Sequence, residues 1–260
     1  MPEPRVLLYD IENSYAIGGY WPGQLYDRNI VTVIQNWYML SVAWQWYGEK
    51  KVHVMGLDDY EGYDPAEADD FDLCADLHDL FNEADVIIAH NGDGFDRPKA
   101  ETRMWLHGFD PPSPVKTVDT LAVARRRFKG GLDSRTLDAL AERLGVQRKG
   151  HSGGIETWTS CMEGDPEAWR KMKKYNKQDV AVLHEVYDKM RPWIPRHPNL
   201  ATISGRKDSC STCGASGCLS KQGFLYTQTM IYQRWKCKNC GSWLSSVASE
   251  KNLKPEYTSR

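Results

Sequence analysis

The chain has 260 residues, of which 41% are hydrophobic and 26% charged, with a formal net charge of −2. That length allows one substantial core plus a small appendage, and the composition is that of an ordinary soluble globular protein. The start, Met1-Pro2-Glu3-Pro4, has neither the basic nor the apolar region of a secretory signal, and the uncharged run near Asn29–Gly48 is too polar to span a bilayer, so an intracellular location is expected.

The near-zero net charge hides an asymmetry. Residues 1–195 carry 23 Lys+Arg against 32 Asp+Glu, and residues 196–260 carry 10 against 3. An acidic body with a basic tail suits an enzyme whose appendage meets a polyanion. No internal repeat or low-complexity segment is visible.

In chain order, Arg5–Asn13 reads as a buried strand interrupted by two acids, Asp10 and Glu12. Strand side chains alternate between faces, so these two carboxylates point the same way, roughly 7 Å apart. Such a pair either sits at a solvated strand end or needs a divalent cation or arginines to compensate it. Ser14–Asn36 is loop-like, with a short strand at Ile30–Ile34. Trp37–Tyr47 and Lys51–Leu57 read as two strands joined through Gly48-Glu49, giving an antiparallel meander with the first strand. Asp69–Ala84 has helical spacing, Asp85–Asn91 is a second buried strand, Arg97–Leu106 a helix, Val115–Thr120 a short strand, and Leu137–Leu144 a helix closed by Gly145. The order predicts a mixed sheet flanked by helices, not an all-parallel sheet.

Asp165 and Pro166 mark the start of a helix running to about Met190. Its apolar seam, Trp169, Met172, Leu183, Val186 and Met190, passes through Tyr175 and Asp179 when its three- and four-residue steps are continued. A carboxylate in that seam asks for a cation, unless the helix is rotated to expose it. A further acid, Asp96, follows the turn Gly92-Asp93-Gly94-Phe95, with Phe95 expected to anchor the turn in the core. Asp96 suits a helix cap or a ligand; Asp93 competes from the loop crest, and Asp119, at the end of the short strand, reads as structural.

Taken together, Asp10-x-Glu12, Asn91-x-x-x-Phe95-Asp96 and Tyr175-x-x-x-Asp179 resemble the motifs of the DEDD exonuclease superfamily in its tyrosine-bearing (DEDDy) subclass, the proofreading branch of the ribonuclease H-like fold, and most of all its stand-alone phage-type members. The resemblance covers about residues 5–193. It implies an α/β fold with a mixed sheet whose first three strands are antiparallel, and 3′→5′ removal of nucleotides. Asp10, Glu12, Asp96 and Asp179 would hold two Mg²⁺ or Mn²⁺ ions about 3.5–4 Å apart, suited to clamp an in-line displacement at phosphorus. In the family the first motif's Asp bridges the ions, which makes Asp10 the bridging candidate. Tyr175 would orient the attacking water; with an ordinary phenol pKa near about 10 it is not a full base. Asn91, Phe95 and Arg126, the last within the basic cluster Arg125–Lys129, are candidate substrate contacts. Aromatic residues of the Tyr15–Tyr26 loop suit base stacking, and Arg148, Lys149 and His151 suit phosphate contact or none.

Pro192–Lys207 is a proline-rich connector. Beyond it, Cys210-x-x-Cys213-Gly and Cys237-x-x-Cys240-Gly flank strand-like Phe224–Tyr226 and Met230–Trp235. Four thiolates from two such turns form the tetrahedral set of a structural Zn²⁺, and the segment resembles a zinc ribbon. Cys218 is a spare thiol able to replace a ligand, while Cys74 and Cys161 read as unligated. The boundaries expected are 1–193 for the exonuclease domain, 194–207 for a linker, 208–248 for the ribbon and 249–260 for a tail.

The leading expectation is a metal-dependent 3′→5′ exonuclease acting on the 3′ ends of single-stranded DNA in replication, repair or proofreading, beside a DNA polymerase or another replication protein, within the host cytoplasm if phage-encoded. The rivals are a 3′→5′ exoribonuclease and a non-catalytic nucleic-acid-binding adaptor. No membrane partner is expected.

Overall fold

A computed structural model of the chain describes residues 3–21, 30–146, 154–248 and 251–252. These divide into two compact units, one formed by Arg5–Val186 and the other by the described residues of Met1–Pro4 and Tyr187–Arg260.

In the first unit, β1 (Val6–Asn13) is followed by a small hairpin of β2 (Ile17–Gly19) and β3 (Thr32–Gln35), then β4 (Met39–Trp46) and β5 (His53–Gly56). Next come α1 (Phe71–Glu83), β6 (Val86–Ala89), α2 (Asp96–Leu106), β7 (Lys116–Asp119), α3 (Thr120–Arg127), α4 (Leu137–Arg143), α5 (Ile155–Met162) and the long α6 (Pro166–Met190). The main sheet has the order β5-β4-β1-β6-β7. β1 pairs antiparallel with β4 and β4 with β5, while β6 and β7 run parallel to β1. This is the mixed α/β sheet flanked by helices that the order of elements predicts.

β1 lies in the middle of that sheet and is covered on both faces, which is why Val6, Leu7, Leu8 and Tyr9 are all buried despite the two-residue alternation. One face, Leu7, Tyr9 and Ile11, joins the main core with Leu73, Leu77 and Phe81 of α1, and the Tyr9 and Phe81 rings meet edge-on at 5.1 Å. The other face carries Leu8, Asp10 and Glu12, and there α6 brings Asn176 and Asp179 to the two acids.

A buried ion pair fastens α2 to this frame. Asp70, wholly buried just before α1, accepts the Met39 N–H of β4 at 2.7 Å and Arg103 of α2 at 2.6 and 2.8 Å, with His107 Nε2 at 2.6 Å. A carboxylate removed from water is tolerated because these donors satisfy it. Cys74, beside that cluster, and Cys161 are both buried.

Three expectations need correction. The segment between β1 and β4 is not simply loop with a strand at Ile30–Ile34: Thr32–Gln35 pairs with Ile17–Gly19 in a two-stranded sheet apart from the main one. Phe95 does not anchor its turn in the core but is 43% exposed. The residues after β7 form α3 at once, and residues 155–162 add α5, neither of which the hydrophobic pattern had marked. The Pro22–Tyr26 part of the aromatic loop and Arg148, Lys149 and His151 lie outside the described residues.

In the second unit, a 3-10 turn at Arg191–Trp193 and the short α7 (Leu200–Ser204) occupy the stretch expected as connector. Then β8 (Leu219–Tyr226), β9 (Met230–Cys237), β10 (Trp243–Ser245) and β11 (Lys251–Asn252) form an antiparallel sheet around β9. Among the described residues, no helix is long and apolar enough to cross a membrane.

Candidate active site

Asp10 and Glu12 stand two residues apart on β1, the spacing that puts both carboxylates on one face. Asp179 reaches them from α6, and carboxylate oxygens of the three lie within 4.8 Å of one another. The helix seam is regular enough to force this: Trp169, Met172, Leu183 and Val186 are all buried, and Asp179 is buried among them.

Asp96 arrives by a different route. β6 ends in a tight turn where a Cβ on Gly92 would lie 2.4 Å from that of Ala89, so glycine is required there. Asn91 takes a left-handed conformation (φ 68°), and its N–H donates to Asp119 Oδ1 at 2.9 Å. Asp119 also caps α3 by accepting the N–H groups of Leu121 and Ala122, so its role is structural, as the sequence suggests. The turn delivers Asp96 to the first position of α2, where it is buried. It does not cap the helix; its carboxylate accepts the N–H of Ile11, the residue between Asp10 and Glu12, at 3.4 Å. Asp93, the competing acid, is exposed.

These acids strain one another electrostatically. Burial, then the charges of Asp96, Glu12 and Asp179, hold the Asp10 carboxyl well above the usual carboxylate range, and a hydrogen bond from Asn176 partly offsets this. Burial pushes Asp96 up to about 7, against the backbone N–H groups and Lys99, which favour its charged form. An all-oxygen set of crowded carboxylates suits hard divalent cations such as Mg²⁺ or Mn²⁺, whose charge relieves both effects.

The raised Asp96 has a consequence for stability without metal. The folded protein keeps the proton up to about pH 7, whereas an aspartate in the unfolded chain releases it near about 4. The stabilisation from that proton is therefore present at acid pH and lost as the pH climbs from about 4 to about 7. In EDTA, Asp96→Asn, which stays neutral, is expected to be more stable than wild type at pH 8 by on the order of 3 kcal/mol. The difference should narrow as the pH falls toward about 4. Thermal melts at several pH values check this, and an equal or lower melting temperature for the variant at pH 8 contradicts it.

Asn176 and Ser41 are site residues that the sequence pattern missed. Asn176 is wholly buried on α6; its amide donates to Asp10 Oδ2 at 2.7 Å and to the Asp10 carbonyl at 3.2 Å. Its own oxygen accepts the Ser41 hydroxyl at 3.0 Å, and Ser41 sits opposite Glu12 in the β1–β4 register. Tyr175 is only half-buried, its ring edge-on to Trp158 at 6.0 Å. The signal for Asn176 is its position: steps of four and three from Met172 reach Asp179 through residue 176 as well as through 175.

The remaining candidates lie around this centre or away from it. The exposed Phe95 ring has the Lys99 ammonium 4.9 Å from its centroid, and the same ammonium is 4.0 Å from the Trp37 ring. Arg126 is exposed in the last turn of α3 with Arg125 and Arg127. Of the aromatic loop, Tyr20 and Trp21 are exposed, and the Tyr15 hydroxyl is 3.1 Å from that of Thr159.

In the second unit the four predicted cysteines converge, with the Sγ atoms of Cys210, Cys213, Cys237 and Cys240 within 4.8 Å of one another. Each Cys-x-x-Cys turn closes on a glycine with positive φ, Gly214 or Gly241, whose N–H bonds the first cysteine's carbonyl at 2.8 and 3.0 Å. Four thiols at this spacing fit a tetrahedral zinc site. Cys218 Sγ lies 3.4 Å from that of Cys237 but outside the set of four.

Residues 36–191, more than half of the chain, match the RNase_H_2 family model, and the chain belongs to the RNase_H superfamily, a nuclease superfamily. The match begins after Asp10 and Glu12. Among solved structures, the chain is similar to the family B DNA polymerase from the hyperthermophilic archaeon Pyrobaculum calidifontis, with 22% identity and a TM-score of 0.52 over 74% of this chain. That likeness is one of fold, and the chain covers only 25% of the polymerase. No curated protein matches it.

Proposed function

We propose that the chain is a divalent-metal-dependent 3′→5′ exonuclease of the DEDDy type, acting on single-stranded 3′ ends of DNA in replication, repair or proofreading. The observation that carries this reading is the meeting of Asp10 and Glu12 with Asp179, from opposite ends of a nuclease-superfamily unit, with Asp96 bonded to the backbone between the first two. Similarity to a protein named as a DNA polymerase supports DNA as the substrate.

In this reading Asp10, Glu12, Asp96 and Asp179 hold two Mg²⁺ or Mn²⁺ ions. When bound, such a pair makes a water more acidic and neutralises charge on the leaving oxygen. The water oxygen forms a new bond to phosphorus, the bond to O3′ breaks, and the proton lost by the water is made good on O3′, releasing a nucleoside 5′-monophosphate. Tyr175, one turn before Asp179, orients the water through its hydroxyl. Asn176 fixes the Asp10 carboxylate so that its oxygens are aimed before substrate arrives. Asn91, Phe95 and Arg126 contact the strand. Residues 1–193 form the exonuclease domain, 194–207 the linker and 208–248 a zinc ribbon in which Cys210, Cys213, Cys237 and Cys240 hold one Zn²⁺, with a tail at 249–260. The protein works inside the cell, beside a DNA polymerase or another replication protein.

The test is a cleavage assay on single-stranded DNA and RNA with Mg²⁺. The reading predicts a shortening ladder from 5′-labelled DNA and immediate release of mononucleotide from 3′-labelled DNA. A ladder on RNA alone overturns the substrate, and bound but uncut DNA overturns the enzyme. Asn176→Ala should weaken Mn²⁺ binding about 10–100-fold, in line with loss of a residue that orients a metal ligand. A Mn²⁺ titration reads this directly; unchanged affinity removes Asn176 from the site.

A further inference from the structure

We propose that the β9–β10 face of the second unit is a binding site for single-stranded DNA, with Trp243 as a platform for a base and Arg234 and Lys236 as partners for the flanking phosphates. The inference rests on the exonuclease reading for its choice of DNA, and names a second contact for the same substrate.

The charge of this segment is one-sided. Residues 209–248 contain Lys221, Arg234, Lys236 and Lys238 and not one Asp or Glu, so nothing within the sheet neutralises them. Strand register concentrates two of these cations around an aromatic ring. Trp243 is paired with Lys236 and Ser245 with Arg234, which places all four side chains on one face. The Arg234 guanidinium lies 5.3 Å and the Lys236 ammonium 5.4 Å from the Trp243 ring centroid, yet Trp243 remains 55% exposed. Arg234 is held in place by the Gln222 carbonyl, at 3.2 Å from Nε and 3.1 Å from Nη2. Beside this face opens a groove of about 900 Å³ bordered by Trp243, Trp235, Arg206 and Lys207, with Asp208 its single acid.

What sets Trp243 apart is that its exposed ring lies between two cations on the same face, a flat apolar surface flanked by positive charge. The occupant must be anionic at intervals of roughly 7 Å, the spacing of alternate residues on a strand, and must offer a flat apolar face between the charges. An unpaired nucleic-acid strand meets both conditions, because every base has a face to stack and every linkage carries a charge. A duplex keeps its base faces inside the stack, and an acidic peptide does not carry a flat ring and an anion in every repeating unit as a nucleic-acid strand does.

The test measures fluorescence anisotropy of labelled oligo(dT) with the full chain, in an Asp10→Ala background so that the strand stays intact. Trp243→Ala is expected to weaken binding about 5- to 150-fold, the equivalent of one stacked base at about 1–3 kcal/mol, whereas Trp243→Tyr retains most of it. Arg234→Ala/Lys236→Ala should weaken binding and lower the slope of log affinity against log salt by about 1.4, or about 0.7 for each cation removed. Unchanged affinity in Trp243→Ala together with an unchanged slope in the double variant overturns the proposal, as does equal weakening by Trp243→Tyr and Trp243→Ala. Hydrolysis of a p-nitrophenyl ester of thymidine 5′-monophosphate, too short to need the ribbon, is measured in parallel with Asp10 intact. Hydrolysis unaffected by Trp243→Ala, with oligo(dT) binding weakened, supports both readings. Absent hydrolysis with weakened oligo(dT) binding sinks the exonuclease reading alone, and intact hydrolysis with insensitive binding sinks the ribbon site alone.

Discussion

Asp10→Ala is expected to lower the rate of DNA hydrolysis by roughly 1,000-fold or more, the equivalent of several kcal/mol of lost charge stabilisation at the reacting phosphate. The size of the effect follows from position. Asp10 lies beside Glu12, Asp96 and Asp179, and Asn176 bonds both its carboxylate and its carbonyl. Removing it should therefore disturb the whole set, not one contact. Burial and mutual repulsion hold its proton unusually tightly, so a divalent cation must also stabilise the folded protein. Added Mg²⁺ should raise the melting temperature of the wild type and leave that of Asp10→Ala nearly unchanged. A variant that keeps both the hydrolysis rate and the Mg²⁺ response removes Asp10 from the site.

The second large effect concerns the cysteine cluster. The 260-residue chain is expected to carry one Zn²⁺, and Cys237→Ser to lose it. Structural zinc contributes about 10–16 kcal/mol of apparent binding free energy at neutral pH in small modules, and without it a sheet this small has little core to hold it together. Loss should therefore appear as protease cleavage within residues 208–248, while the melting transition of the Arg5–Val186 unit persists. Cys218→Ser is the control: its thiol lies 3.4 Å from Cys237, yet outside the converging four. It should retain the metal. Zinc retained by Cys237→Ser and lost from Cys218→Ser would mean that Cys218 is the true ligand.

What the sequence made legible follows from which residues carry a periodic burial signal. β1, β4 and β6 are covered by the core, so their apolar runs stand out, and the antiparallel pairing of β4 with β5 follows from the short connection between them. α6 was legible end to end, from the Asp165 carboxylate bonded to the Glu167 N–H to the buried Met190. α3 buries only Thr120 and Ala124, and α5 only Thr157 and Cys161, so neither has an apolar stripe to read. The strands β2 and β3 themselves bury no residue, and they exist through mutual pairing. Phe95 is exposed although an aromatic in a glycine-rich turn has the pattern of an anchor. The turn is fixed instead by backbone: Asn91 in a left-handed conformation, bonded to Asp119.

The candidate site was legible where spacing alone decides. Two residues apart on a strand gives a shared face, which served for Asp10 and Glu12, and helical steps brought Asp179 into the seam. Those same steps could not choose between residues 175 and 176. The choice is made by partners distant in the chain, since Asn176 is buried by its bonds to Asp10 and Ser41. Polar residues whose partners are remote leave no local signature, and Ser41 escaped for the same reason.

The most direct measurement is a crystal structure of the full chain grown or soaked with Mn²⁺, with data collected to reveal anomalous scattering. Two peaks are expected among the carboxylates of Asp10, Glu12, Asp96 and Asp179. Mn²⁺ absent from these four carboxylates while bound elsewhere in the same crystal would contradict the account at its root.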